Sequence, residues 1–369
     1  MLNATEKEYV STDNGFIGIS VIIPVYNTAP YLRSCLDSIL GQVYKQIEVI
    51  CVNEGSTDLS GGILNEYAAK DARVKVFHQQ NAGQGIARDE GFRKACGKYI
   101  YYMDSDDTLD TQALKYLFTE AEENKLDILY FDGVAEFETE QLEKRFSGYK
   151  TYYTRKNDYA LTQSGSELFV AMRKHGEYRA SLCLQLFRRQ FLTEHNILFR
   201  SGVIYEDELY SLSCILNAGR VSHRKLAFFH RRIRENSTMT ANIDFKSFYG
   251  RFRCYWSIRA FLEGKTFNEE VQKALCEELN GKWHEMLNKW TQLPPDEQVK
   301  INGLEPLERE TFDKFVLPYA QNGGKSPFEA AAELKEVCSS VSYRFGRAAT
   351  WLPRKLSAVA SRLKQSRNH

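Results

Sequence analysis

Tyr99-Ile100-Tyr101-Tyr102-Met103-Asp104-Ser105-Asp106-Asp107 is the stretch that decides the fold. A short run of aromatic and aliphatic residues suits a strand buried on both faces. The carboxylate cluster that follows places several hard oxygens where that strand ends. Similar apolar runs lie at Gly18–Val25, Ile47–Val52, Val74–Phe77 and Asp127–Phe131. Helical patterns separate them. Pro30 fits a first helical position, and Leu32, Cys35, Leu36, Ile39 and Leu40 then mark one apolar stripe. Leu59–Lys70, Ile86–Ala95 and Thr111–Lys125 read as further helices. Alternating strand and helix predicts an α/β fold: a doubly wound, mostly parallel sheet with helices on both faces and ligands at the strands' carboxyl ends.

Outward from this core the pattern changes. From about Lys150 to Asn242 the chain is irregular and rich in aromatics and arginines, a region expected to complete the sheet. Asp244 to Asn288 reads as helical, Leu293-Pro294-Pro295 as a break, and Gln321 to Pro327 as a loop or linker. The 369 residues carry 49 Lys and Arg against 48 Asp and Glu, a formal net charge of +1. That balance argues against nucleic acid as a partner. Eight scattered cysteines without a C-x-x-C pair read as reduced, buried thiols of a cytoplasmic protein. The N-terminus lacks the apolar core of a signal peptide, and no run reaches the ~18 apolar residues of a membrane span. Charge is uneven, however: residues 341–369 hold seven Lys or Arg and no acid. Phe345, Ala348, Leu352, Leu356, Val359 and Leu363 recur there at helical spacing, with Trp351 beside Pro353. A basic amphipathic tail of this kind is expected to lie on the anionic inner face of the membrane, about 1 kcal/mol per basic residue near the surface. Packing on the catalytic domain is the plain alternative.

Five segments carry chemistry. The Asp104–Asp107 cluster suits Mg²⁺ or Mn²⁺, which bind one or two carboxylates plus substrate phosphates; its alternative is an acidic turn capping the next helix through Thr108 or Asp110. Asn53-Glu54-Gly55-Ser56-Thr57-Asp58 offers an acidic side chain to a base or ribose, or is a turn capped by Ser56, Thr57 or Asp58. Asn81-Ala82-Gly83-Gln84-Gly85-Ile86-Ala87-Arg88-Asp89 can turn backbone N–H groups toward phosphates at a helix start. It is no dinucleotide fingerprint, and Gly324-Lys325-Ser326 fails as a P-loop because position 319 is Tyr. Tyr205-Glu206-Asp207-Glu208 can hold a carboxylate poised as a general base, or simply put acids at a helix N-terminus. Phe229 to Ser237 clusters arginines that can grip a diphosphate, or is a solvated basic turn.

Together and in this order these segments resemble family 2 glycosyltransferases of the GT-A fold, of the kind that build bacterial capsular, exopolysaccharide or cell-wall glycans. Ser20 to Asn27 is similar to the family's opening strand. Asn53 to Asp58 resembles its acidic G-S-T-D loop, and Asn81 to Asp89 its N-x-G-x-x-x-A-R-N segment. Asp104 to Asp107 resembles the D-x-D metal motif, Tyr205 to Glu208 the E-D motif, and Arg232-Ile233-Arg234 with Ser237 the R-x-R-x-x-S segment. Two positions depart: Glu54 stands where Asp is common, and Asp89 where Asn is common, its extra charge calling for a partner such as Arg88 or Arg93.

The resemblance implies a catalytic domain over 17–242, with a nucleotide-sugar half at 17–135 and an acceptor half at 136–242, then a helical region at 243–340 and the tail at 341–369. It implies donor contacts from Pro24, Val25, Tyr26, Asn27, Glu54, Asn81, Gly83, Arg88, Asp104, Ser105, Asp106, Arg232, Arg234 and Ser237. Asp106 and Asp104 would hold Mn²⁺ or Mg²⁺. The expected reaction is an inverting transfer of sugar from a nucleotide diphosphate donor, a UDP-sugar for choice, to a glycan or lipid-linked glycan, with Asp207 as base and Glu206 second. The rivals are a nucleotidyltransferase that makes sugar nucleotides and an inactive nucleotide-sugar-binding protein of the same fold. Pro24 to Thr28 lacks the glycine-rich basic loop the first of these usually carries.

Overall fold

The computed structural model describes residues 15–322 except 201–203, 236, 238, 239 and 241. The tail at 341–369, its expected membrane contact and most of the 321–327 linker lie outside the described residues. Eight strands form one sheet: β1 (Ile19–Val25), β2 (Ile47–Asn53), β3 (Val74–His78), β4 (Tyr99–Tyr102), β5 (Thr108–Leu109), β6 (Ile128–Phe137), β7 (Gln185–Arg188) and β8 (Val221–Ile233), in the order β3-β2-β1-β4-β7-β6-β8-β5. β1 to β4 pair in parallel, as the apolar runs predict. β6 and β8 are also parallel to each other. Between these halves β7 runs antiparallel to both β4 and β6, so the sheet is mixed.

The helices are α1 (Ala29–Leu40), α2 (Ser60–Lys70), α3 (Gln84–Lys94), α4 (Ala113–Glu123), α5 (Glu140–Arg145), α6 (Gly165–Lys174), α7 (Arg189–Glu194), α8 (Glu206–Asn217), α9 (Phe245–Leu262) and α10 (Glu269–Gln292), with α11 (Pro295–Gln298), α12 (Pro306–Thr311) and α13 (Leu317–Asn322) after them. They cover both faces because strand side chains alternate. Val21 and Ile23 of β1, with Tyr99 and Tyr101 of β4, join the core under α1, α2 and α4. Ile22, Ile100 and Tyr102 point the other way, into the core under α3, α6, α7 and α8. A strand buried on both faces cannot show polar alternation, which is why these runs are continuous in sequence.

The helical stretch read from Asp244 to Asn288 is two helices, each with its own N-cap. Asp244 Oδ1 accepts from Ser247 N at 2.8 Å, and Asn268 Oδ1 accepts from Val271 N at 2.9 Å. Phe248, Trp283, Met286, Trp290 and Phe312 give this region a core of its own, while Val271, Ala274 and Leu275 of α10 pack into the α6–α8 core. No described helix is long and apolar enough to cross a membrane. Cys35, Cys51, Cys96, Cys183, Cys214 and Cys254 are free thiols.

Candidate active site

Four loops at the carboxyl ends of β1, β2 and β4 and at the start of α3 meet there, joined by the N-terminus of α8 and the end of β8. The Asp104–Asp107 turn is laced by arginines. Arg88 donates to Asp104 Oδ1 at 2.9 Å and Arg231 to Asp104 Oδ2 at 2.6 Å. Arg231 also donates to Asp107 Oδ2 at 2.8 Å, and Arg234 to Asp106 Oδ2 at 2.9 Å. Burial works to raise the Asp104 pKa, but Arg231 and Arg88 outweigh it and hold the carboxyl below its usual range. Ser105 is tied to Thr28, hydroxyl to hydroxyl, at 2.9 Å. The capping alternative is not what the structure shows: the N-cap of α4 is Gln112 with no side-chain cap bond, Asp110 Oδ1 accepts from Gln112 N in the turn before the helix, and Thr108 is part of β5.

Glu54 follows β2 and is buried. Burial raises its carboxyl pKa against the Gly83 amide and the Arg88 charge. Its Oε2 has no hydrogen-bond partner among the described residues. A buried, unpartnered carboxylate oxygen is costly, and a ligand donor would relieve it. The helix that faces it begins at Gly83, whose φ of 89° suits glycine. At Gly85 a side chain would meet Glu206 Cγ at 3.0 Å and Phe199 Cβ at 3.1 Å, so α3 approaches α8 closely here.

Within Glu206-Asp207-Glu208 the structure separates three carboxylates by their partners. Glu206 is buried and accepts from Arg88 Nη1 at 2.5 Å. Glu208 accepts from Arg251 and from Lys282 Nζ at 2.6 Å, and these cations hold it down to about 2 against burial. Asp207 is half-buried and lines the cleft. Burial, then the charges of Glu206 and Glu208, push it up to about 7. That is the range a general base needs near neutral pH. Glu206, read as the second candidate base, is instead committed to its ion pair. Tyr205 caps α8 with φ 67°, a left-handed backbone that costs a non-glycine residue about 1–2 kcal/mol. The Arg251 guanidinium lies 3.7 Å over its ring and holds it there.

These groups border a cleft of 1510 Å³. Pro24, Tyr26, Glu54, Asn81, Gly83, Asp104, Ser105, Asp106, Glu206, Asp207, Arg234 and Ser237 all line it. Val25, Asn27, Arg88 and Arg232 do not, and each has a supporting place. Val25 is fully buried in β1. Asn27 Oδ1 accepts from Thr57 N at 2.8 Å and ties the β1 loop to the β2 loop. Arg88 is the floor between Asp104 and Glu206. Arg232 lies over Tyr31, 5.2 Å from the ring centre, and donates to Asp106 O. Asp58 precedes the α2 N-cap, Leu59, and its carboxylate accepts from Ser60 N at 2.9 Å and from Ala29 N of α1 at 3.0 Å. Asp89 pairs with neither Arg88 nor Arg93: it accepts from Phe199 N at 3.1 Å, and burial pushes it up to about 6. The Asp89 carboxyl oxygen thus pins the chain at Phe199.

Two contributors lie outside the five segments, and a third lies inside one but not among the expected donor contacts. Arg231, in the Phe229 to Ser237 arginine cluster, bridges Asp104 and Asp107; the period-2 alternation of β8 could have singled it out, since it shares a face with buried Phe229 and Ile233. Arg251 and Lys282 come from α9 and α10, far along the chain, and carry no local signal.

The residues fit a hard divalent ion in a limited way. Asp106 lines the cleft, and Arg234 bonds its Oδ2, so Asp106 with a ligand's phosphates is a donor set that Mn²⁺ or Mg²⁺ accepts. Both Asp104 oxygens already accept from arginines, which leaves it an outer, water-mediated role. Asp104, Asp107 and Cys183 also bring ligand atoms within 4.8 Å of one another. Burial raises the Cys183 thiol pKa well above its usual value, and a soft sulfur suits a hard ion poorly.

An open sheet with acidic loops at its strand ends, arginines facing them and helices on both faces defines a GT-A type fold. A sequence profile described as Glycosyl transferase family 2 matches residues 20–192. EpsH of Bacillus subtilis (strain 168) is 32% identical over 262 residues, covering 70% of this chain and 72% of that protein. An uncharacterized glycosyltransferase of the same organism, EpsJ, is 32% identical over 231 residues, covering 62% of this chain; the chain spans 64% of EpsJ's length. The crystal structure of S. aureus TarS 1-349 in complex with UDP-GlcNAc superposes with a TM-score of 0.61 at 22% identity, over 83% of this chain and 87% of that one, a likeness of fold. The chain belongs to glycosyltransferase family 2.

Proposed function

We propose that this chain is an inverting glycosyltransferase that moves a sugar from a UDP-sugar to a hydroxyl of a growing surface glycan. The observation that carries this reading is Asp207, a half-buried carboxylate raised to about 7 at the edge of a cleft whose other wall holds arginines against the Asp104–Asp107 turn. Asp207 takes the acceptor hydroxyl's proton as its oxygen attacks the anomeric carbon from the face opposite the nucleotide. The bond to the diphosphate breaks in the same displacement, so the configuration inverts. Arg234, with Arg231 behind it, offsets the charge gathering on the departing diphosphate. Glu54 Oε2 accepts from the N3–H of uracil, or from a ribose hydroxyl. Asp106, with Asp104 acting through water, would hold Mn²⁺ or Mg²⁺, which would supply further neutralisation of the diphosphate's charge. A lipid-linked acceptor at the inner membrane face fits the basic stripe read in 341–369.

The test is product analysis with purified enzyme, Mn²⁺ and UDP-, GDP- and dTDP-sugars. UDP release from a UDP-sugar, lost in Asp207→Asn, is the expected result. Pyrophosphate formation from a sugar phosphate and a nucleoside triphosphate would instead make the protein a nucleotidyltransferase. Tight nucleotide-sugar binding without turnover under any condition would make it a binding protein.

A further inference from the structure

The segment between β6 and α6 brings Tyr149, Tyr152 and Tyr153 to one wall of the cleft. Tyr153 anchors the group. Its ring is buried edge-to-face against Phe229 of β8, with centroids 6.2 Å apart, and its carbonyl accepts from Gly133 N of β6 at 2.9 Å. Tyr149 lies nearly parallel to Tyr153 at 6.2 Å and 22°, and Tyr152 meets it edge-on at 5.0 Å and 82°. Two residues on, buried Arg155 donates to Asp132 Oδ1 at 2.9 Å, which pins the strap to β6. The Arg179 guanidinium sits 4.6 Å from the Tyr152 ring centre and is itself fixed by donating to the carbonyls of Tyr152, Gly176 and Tyr178. The wall is therefore preorganised, yet Tyr152 remains 37% exposed.

Its place in the cleft says what it meets. Glu54 follows β2, whereas the tyrosine anchor is on β6, with β1, β4 and β7 between them. The wall thus stands away from the end of the cleft where the buried carboxylate awaits a nucleotide. It stands toward α8 and the base: Arg179, which lies over the Tyr152 ring, is followed by Ala180, whose carbonyl accepts from Ser211 Oγ of α8 at 2.6 Å, one helical turn from Asp207, and Tyr152 and Asp207 line the same cleft. A pyranose ring offers a flat C–H face that packs on an aromatic ring and a rim of hydroxyls for polar neighbours.

Tyr149 and Tyr152 meet nearly at right angles, 75° with centroids 5.5 Å apart. We propose that they form a corner-shaped aromatic platform for the sugar ring of the acceptor, one ring packing on its face and the other against its edge, holding one of its hydroxyls toward Asp207. The platform rests on the glycosyltransferase reading above and adds the acceptor's class: a pyranose-containing glycan engaged through its ring face, not a flexible alcohol or a side chain gripped by charge. Because the platform acts through ring faces, Tyr152→Phe should keep it and Tyr152→Leu should lose it.

The full-length chain labelled with 3-fluorotyrosine tests this by ¹⁹F NMR, with the Tyr149, Tyr152 and Tyr26 resonances assigned through single Phe replacements. Methyl β-glycosides of glucose, galactose and N-acetylglucosamine are titrated with and without UDP. At least one sugar should shift the Tyr149 and Tyr152 resonances saturably and leave Tyr26 unmoved, and the Tyr149 shift should survive Tyr152→Phe but weaken at least tenfold in Tyr152→Leu. Cooperative thermal unfolding of each variant checks that it is folded. Absence of any sugar-induced shift, or a shift of Tyr149 and Tyr152 by uridine alone, overturns the platform. UDP acts as a separate arm: if it neither moves Tyr26 nor raises the melting temperature, the donor reading fails whatever the tyrosines report.

Discussion

Arg88 donates to Glu206 at 2.5 Å across 118 residues of sequence, an ion pair in which both side chains are buried. The same guanidinium reaches Asp104, so one residue on α3 fixes both the acidic turn after β4 and the first turn of α8. A buried pair of this kind contributes little net stability, but removing one partner strands a charge.

Arg88→Met is therefore expected to cost about 3–5 kcal/mol of stability, since Glu206 and Asp104 lose their shared cation. Arg88→Met/Glu206→Gln should recover part of that loss, because no unpaired carboxylate remains at position 206. Urea unfolding of the two variants measures the difference. A single variant as stable as the parent would show that the pair is not the tie the geometry describes.

Asp207→Asn should lower turnover by about 10²–10⁴, the range of a lost general base, with UDP affinity close to the parent's. In the parent the rate should rise with pH through about 7, because Asp207 must lose its proton to act. Glu208→Gln removes one of the negative charges that raise Asp207 and frees Lys282 and Arg251, so the rising limb should move to lower pH. A limb that stays put or moves upward contradicts the assigned base.

Glu54→Gln separates binding from folding. The buried carboxylate has its pKa raised in the folded protein, so it takes up protons on folding and costs stability once the pH exceeds its unfolded value near 4.5. The Gln variant should melt higher than the parent at pH 8 without ligand, the gap closing toward pH 4. UDP should bind it more weakly by about 1–3 kcal/mol, the cost of an unmatched buried polar group. Calorimetry at the two pH values reads both effects.

Asp106→Ala should remove the Mn²⁺-dependent part of UDP binding while the fold persists. EDTA should do the same to the parent and leave Asp106→Ala unchanged. Thermal shift with UDP, with and without Mn²⁺, reports it, since a ligand of the folded state raises stability by mass action. Metal enhancement of equal size in parent and variant would remove Asp106 from the ion's ligands.

The amino-acid sequence by itself determined the parallel β1–β4 half of the sheet. Val21 to Ile23 and Tyr99 to Tyr102 are apolar at every position because both faces of their strands are covered, and that pattern is local. The acidic turns are equally local: Glu54 and Asp104 to Asp107 sit where strands end, so their place at the sheet's carboxyl edge follows from chain order. What only the tertiary structure decided is which of the clustered charges stay free. Glu206, Asp207 and Glu208 are near-equivalent in sequence, and they differ because Arg88 comes from α3, Arg251 from α9 and Lys282 from α10. The antiparallel insertion of β7, the left-handed Tyr205 under Arg251 and the tyrosine wall anchored on Gly133 are likewise set by long-range partners. Periodicity reports the face a residue buries, but a carboxylate's charge and freedom depend on cations brought to it by folding, and those leave no trace in its own neighbourhood of the chain.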